Sequence, residues 1–133
     1  MKIIDIEGIG PAYAAKLTKA GIRTVEGLLK NGASPKGRKE IAAATGIDQS
    51  LVLEWVNRAD LYRIKGVSKQ YSDLLEKAGV DTVVELSKRV AANLYKKMVD
   101  INAAKNLVNG MPGVKRVEGW IEQAKKLPRV VTY

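Results

Sequence analysis

The residues whose types and spacing could do chemistry here are glycines and cations. Two short runs stand out: Ile6-Glu7-Gly8-Ile9-Gly10-Pro11 and Ile64-Lys65-Gly66-Val67-Ser68-Lys69. Glycines flanking a single apolar residue let a backbone turn sharply and expose its N–H groups. A helix starting directly after such a turn adds the unpartnered N–H groups of its first turn and the positive end of its dipole. That combination suits an anionic oxygen, above all a phosphate.

In the first run Gly8, Ile9 and Gly10 build the turn, with Ile9 expected to point inward as its anchor. Glu7 beside it would repel a phosphate, and Pro11 removes one N–H, a small loss at the first helical position. The second run keeps Gly66 and Val67 but carries Ser68 at the second glycine position, where a required positive φ would strain a serine. Lys65 and Lys69 flank this turn with two cations, so the second run is expected to be the better phosphate site. A third candidate is Lys36, Arg38 and Lys39, placed in the first turn of a helix where cations oppose the dipole and an anion would relieve them. For each run the competing reading is a turn or a solvated face that serves only packing. Lys88-Arg89, Lys96-Lys97 and Lys115-Arg116 are read as solvated faces, with extension of a basic track as the competing reading.

Other chemistry is excluded by composition. The chain has no Cys and no His, which removes disulfides, thiol nucleophiles, His-based acid–base catalysis and the usual zinc sites. The acidic residues are scattered, with no pair spaced for two-metal work. The expectation is no catalytic residue, no metal, no cofactor and no enzymatic activity. The formal net charge is +9, which suits nucleic acid or another anionic surface. Its distribution is uneven: residues 1–62 hold nine Lys/Arg against seven Asp/Glu, and residues 63–133 hold fourteen against seven. The opening Met-Lys-Ile-Ile-Asp-Ile-Glu meets a carboxylate too early for a secretory signal, and no apolar run is long enough for a membrane span. No membrane association and a cytoplasmic location are expected.

The elements that must position these residues repeat. Gly8 and Gly66, Tyr13 and Tyr71, and Gly21 and Gly79 are each 58 residues apart. Trp-centred apolar stretches follow at Trp55 and Trp120, 65 residues apart, so the second copy carries about seven extra residues. This predicts a duplication with its boundary near 62/63: one unit over 1–62, and a second over 63–133 with a short extended tail. Helical signals dominate both. Gly21 ends a helix as its C′ residue. Thr24 and Thr82 cap short helices, the latter in a capping box with Glu85. Ser34-Pro35 opens a helix that Gly46 ends, and Asp48 caps the next. Asn93 is expected to cap a helix reaching toward Val108. Asn109-Gly110-Met111-Pro112-Gly113 breaks the chain, and a final helix runs to Pro128. Trp55, Trp120, Tyr13 and Tyr71 are read as core. The fold class expected is all-α, two tandem units packed as one helical body.

The Gly8-Ile9-Gly10 run and its flanks resemble the helix-hairpin-helix superfamily, found in DNA repair, recombination and replication proteins. Several longer motifs resemble an uncharacterised family, known only as a domain of unknown function, with tandem hairpins of this type. They are Ile-Glu-Gly-Ile-Gly-Pro-x-Tyr, Ala-Gly-Ile-x-Thr-Val, Gly-Ala-Ser-Pro-Lys-Gly-Arg, Glu-Trp-Val-Asn and the terminal Val-Val-Thr-Tyr. The resemblance implies a DNA-binding module that contacts the phosphate backbone of duplex or branched DNA without base readout, since no helix rich in Arg, Asn or Gln is present to read bases. Backbone contacts alone leave RNA open as a partner. A protein-interaction adapter or accessory subunit that keeps the fold without binding nucleic acid is the competing expectation.

Overall fold

A computed structural model describes residues 1–133. Eight α-helices account for its regular structure: α1 (Pro11–Lys19), α2 (Val25–Gly32), α3 (Pro35–Thr45), α4 (Gln49–Leu61), α5 (Lys69–Lys77), α6 (Val83–Ser87), α7 (Ala91–Lys105) and α8 (Val114–Lys126). A 3-10 turn at Ile3–Asp5 precedes them, and a single antiparallel bridge joins Lys2 to Thr24. The fold is all-helical, and no helix is long and apolar enough to cross a membrane.

By their internal contacts the residues form two units, Met1–Asp60 with Val130–Tyr133, and Leu61–Arg129. The four C-terminal residues, which the sequence grouping attached to the second unit, therefore complete the first. Thr132 N donates to Ala33 O at 2.8 Å. Its own carbonyl accepts from Arg38 Nη2 at 2.7 Å.

Local chemistry explains the helix boundaries. Thr24 Oγ1 accepts from Gly27 N at 2.9 Å and Ser34 Oγ from Gly37 N at 3.1 Å, each satisfying an orphan donor of a first turn. Asp48 Oδ1 does the same for Ser50 N at 2.9 Å, opening α4. Gly21 and Gly79 follow α1 and α5 with φ of 90° and 92°, and Gly46 ends α3 with φ of 74°, the left-handed exit that glycine makes without a Cβ penalty.

Two boundaries differ from expectation. Only half of the Thr82 box forms: Glu85 N donates to Thr82 Oγ1 at 3.3 Å, but the Glu85 carboxylate pairs with Arg89 Nη2 at 3.1 Å instead of returning to the cap. A guanidinium one turn ahead is the stronger partner for a carboxylate. Helix α7 begins at Ala91, with Val90 in the cap position and Asn93 inside its first turn. It ends before Val108, and Asn102 holds Val108 from both sides: Val108 N donates to Asn102 Oδ1 at 2.9 Å, and Asn102 Nδ2 donates to Val108 O at 3.1 Å.

The core of the second unit gathers Leu61, Ile64, Val67, Leu74, Leu75, Leu86, Leu94, Met98, Val117, Trp120 and Ile121. Helix α8 lies against α6 and α7, and α7 against α5. In the first unit Ile6, Ile9, Leu17, Leu28, Val52, Trp55 and Val56 are buried. Each of these aliphatic side chains removed from water contributes on the order of 1.5–3 kcal/mol, which makes a Leu/Ile/Val core workable without phenylalanine.

Candidate nucleic-acid interface

The two glycine turns are built alike. In the first, Ile9 N donates to Ile6 O at 3.1 Å, and in the second Val67 N donates to Ile64 O at 3.2 Å. Gly8 and Gly66 hold φ of 92° and 94°, which an L side chain adopts only under strain. Both also lie against a tryptophan. A Cβ on Gly66 would stand 3.1 Å from Trp120 Nε1, and one on Gly8 3.4 Å from Trp55 Nε1. Ile9 and Val67 are buried and anchor the turns, as their position between the small residues implied. Tyr13 and Tyr71 pack on the same tryptophans, with ring centroids 5.1 Å and 5.4 Å apart. The buried tryptophans thus buttress the turns from inside, and the tyrosines, expected in the core, are half-buried beside them.

The second glycine of the pattern has a different role from the one its identity suggested. Gly10 caps α1 with φ of −85°, and Ser68 caps α5 with φ of −88°. The position is extended and needs no glycine, so Ser68 is unstrained. Its Oγ accepts from Tyr71 N at 3.4 Å, a long capping bond that Gly10 has no atom to make. The substitution in the second copy therefore improves the helix start.

The surroundings of the two turns differ in charge. Lys65, Gly66, Ser68 and Lys69 are all exposed. The backbone of Lys65 is clamped from α8: its N–H donates to Gln123 Oε1 at 2.9 Å, and its carbonyl accepts from Gln123 Nε2 at 3.1 Å. Fixing the peptide on both sides leaves the Lys65 ammonium to face solvent from a rigid base. Arg116, one turn before Trp120 on α8, brings a third cation to the same place. Its guanidinium lies 5.3 Å from the Tyr71 ring centroid and 5.9 Å from that of Trp120. Its Nη2 is 3.7 Å from where a Cβ on Gly66 would sit. Such cation–π contacts contribute about 0.5–1 kcal/mol each at exposed sites, enough to bias the side chain toward one orientation. From sequence alone Arg116 is expected on a solvated face. The signal that would have found it is its spacing of four from a tryptophan whose repeat partner packs on a glycine turn.

The Gly8 turn has Glu7 exposed beside it, and Lys16 of α1 stands 6.0 Å from the Tyr13 ring. Of the third candidate, Lys36 and Lys39 are exposed on α3, but Arg38 is buried, with 6% of its surface accessible. Arg38 Nη1 donates to Gly32 O at 2.9 Å and to Ala33 O at 3.0 Å, and Nη2 donates to Thr132 O. Burial pushes the Arg38 pKa below the usual guanidinium range. A guanidinium committed to three carbonyls has little left for a ligand, so Arg38 is held inside and does not share the exposed surface of Lys36 and Lys39.

The geometry defines an all-helical chain in which a turn–helix unit occurs twice, once with a cationic turn. A family model for a domain of unknown function, DUF4332, matches residues 7–127, and the chain belongs to that family. No curated protein and no solved structure matches it.

Proposed function

We propose that this protein is a non-enzymatic module of helix-hairpin-helix type that grips the phosphate backbone of DNA with little sequence preference, chiefly through the Gly66 turn. The observation that carries the reading is the exposed Lys65-Gly66-Val67-Ser68-Lys69 turn at the start of α5, braced from behind by Gln123 and Trp120. There the start of a helix, whose first N–H groups have no carbonyl partner within it, carries exposed lysines on both sides of the turn, in the half of the chain with fourteen cations against seven acids. Duplex or branched DNA is the preferred partner, with RNA as the alternative that competition would reveal.

Anisotropy titration of a labelled duplex of arbitrary sequence at two salt concentrations tests this. The expected log–log slope of affinity on salt is roughly −3 to −6, at about 0.9 per phosphate contact. Lys65→Glu with Lys69→Glu should weaken every duplex alike. Loss confined to one sequence, or no binding at low salt, overturns the reading.

A second reading has its own support in the first unit. Glu7 beside the Gly8 turn, the withdrawal of Arg38 into the interior and a near balance of nine cations against seven acids over residues 1–62 favour a protein-docking role there. An adapter would bind a protein partner with the Gly8 turn intact and be indifferent to added duplex.

A further inference from the structure

We infer that Arg116 is a phosphate-contacting residue of the Gly66 turn, held in place for that purpose by Tyr71 and Trp120. The inference rests on the backbone-binding reading above and names the side chain that makes one copy of the repeat a gripping site.

The argument starts from what surrounds the guanidinium. Arg116 is exposed and takes part in no ion pair, and its guanidinium lies by the Tyr71 and Trp120 rings and the edge of the Gly66 turn. The rings hold the guanidinium carbon 5.3 Å and 5.9 Å from their centroids, and its N–H donors lie along its planar edge. That edge remains to hydrogen-bond an oxygen anion, and a planar fork fits two phosphate oxygens where an ammonium offers a point charge. Trp120 also fixes the turn itself, its Nε1 lying against Gly66, while Tyr71 is held by its OH, which donates to Gly110 O at 3.1 Å. The cation and the turn are therefore positioned by one set of side chains, and little ordering remains to be done when a phosphate arrives.

The first copy shows what is missing without it. Four residues before Trp55 stands Leu51, half-buried, where the second copy has Arg116 before Trp120. The duplicated turns keep the same backbone but only one has acquired a guanidinium at its rim. A phosphate of a nucleic-acid backbone is the ligand this arrangement fits, because Lys65 and Lys69 continue the positive charge on either side of the turn.

The test compares the full-length wild type with Arg116→Gln, Arg116→Lys and, as a charge-matched control on the same helix, Lys115→Gln. Each is titrated against the same labelled duplex across a salt series, and each is melted to check the fold. Arg116→Gln should lose roughly tenfold in affinity at low salt, the size of one charge-assisted contact. Its salt slope should become shallower by about 0.9. Arg116→Lys should keep the slope while losing part of the affinity, and Lys115→Gln should change the slope less than Arg116→Gln. If the wild type binds and Arg116→Gln matches it, or falls no further than Lys115→Gln, the role of Arg116 is overturned while backbone binding stands. If the wild type fails to bind duplex at low salt, the backbone-binding reading fails and takes this inference with it.

Discussion

At the scale of single residues, the two glycines of the first turn have unequal jobs, although they look equivalent in the Gly8-Ile9-Gly10 motif. Gly8 supplies a positive φ and Gly10 supplies an extended cap position with open space around it. Gly10→Ser should therefore be tolerated and should gain a few tenths of a kcal/mol as a capping residue. Gly66→Ala should cost at least about 1–2 kcal/mol for the strained backbone. It should cost more than Gly8→Ala, because the added methyl meets Trp120 Nε1 at 3.1 Å where Gly8 leaves 3.4 Å to Trp55. Urea unfolding of the three variants checks the order, and a Gly10→Ser variant as damaged as Gly66→Ala would contradict it. Arg38 carries the complementary lesson. A cation in a basic run became an interior hydrogen-bond donor because packing brought carbonyls at the end of α2 and in the tail within its reach.

At the scale of elements, helix starts are set by side chains within three residues of the cap, and their strength depends on ionisation. Bonds from Ser50 N and Ser50 Oγ hold the Asp48 carboxylate below its ordinary pKa. A folded-state value lower than the unfolded one stabilises the protein above the ordinary aspartate range. That contribution disappears as pH falls through the lowered folded value. Asp48→Asn keeps a good capping residue but removes the titration, so the variant should lose less stability than wild type on acidification. Unfolding midpoints measured from pH 6 down to pH 2 should converge or cross, and parallel curves would show that Asp48 is not coupled to folding. Helix α7 illustrates the limit of local signals. Its start moved to Ala91 although Asn93 is the better capping residue in isolation, and Leu94 and Met98 from this helix are buried in the unit's core. Burial of a helical face outweighs a capping preference of about 1 kcal/mol.

At the scale of the whole molecule, the last four residues of the chain belong with the first sixty. Thr132 bonds to Ala33 and Arg38, and Tyr133 OH donates to Asn57 Oδ1 at 3.2 Å, with the Arg38 guanidinium 5.8 Å from the Tyr133 ring. Removing residues 130–133 deprives the buried Arg38 of one of its three carbonyls and should destabilise the first unit by about 1–3 kcal/mol. Hydrogen exchange should show amides of α2 and α3 losing protection while those of α5 and α8 keep theirs. Equal loss in both units, or none, would mean the tail is ornamental to the first unit.

The repeat, the all-helical class and most helix boundaries were legible in the sequence because they depend on short-range chemistry: a threonine cap, a left-handed glycine exit, an apolar stripe with helical spacing. Both tryptophans were placed inside by their apolar neighbours along one helical face, and Ile9 and Val67 by their position as the single apolar residue of each turn. Tertiary structure decided where the cations went. Arg38 meets Thr132 across 94 residues of sequence, and Arg116 meets a tyrosine on α5. Lys65 is pinned by Gln123 at a separation of 58 residues. A long charged side chain costs similar free energy on any solvated face, so its sequence position says little about its destination. Only the carbonyls, rings and turns that packing brings within reach select one, and those partners come from helices folded against each other.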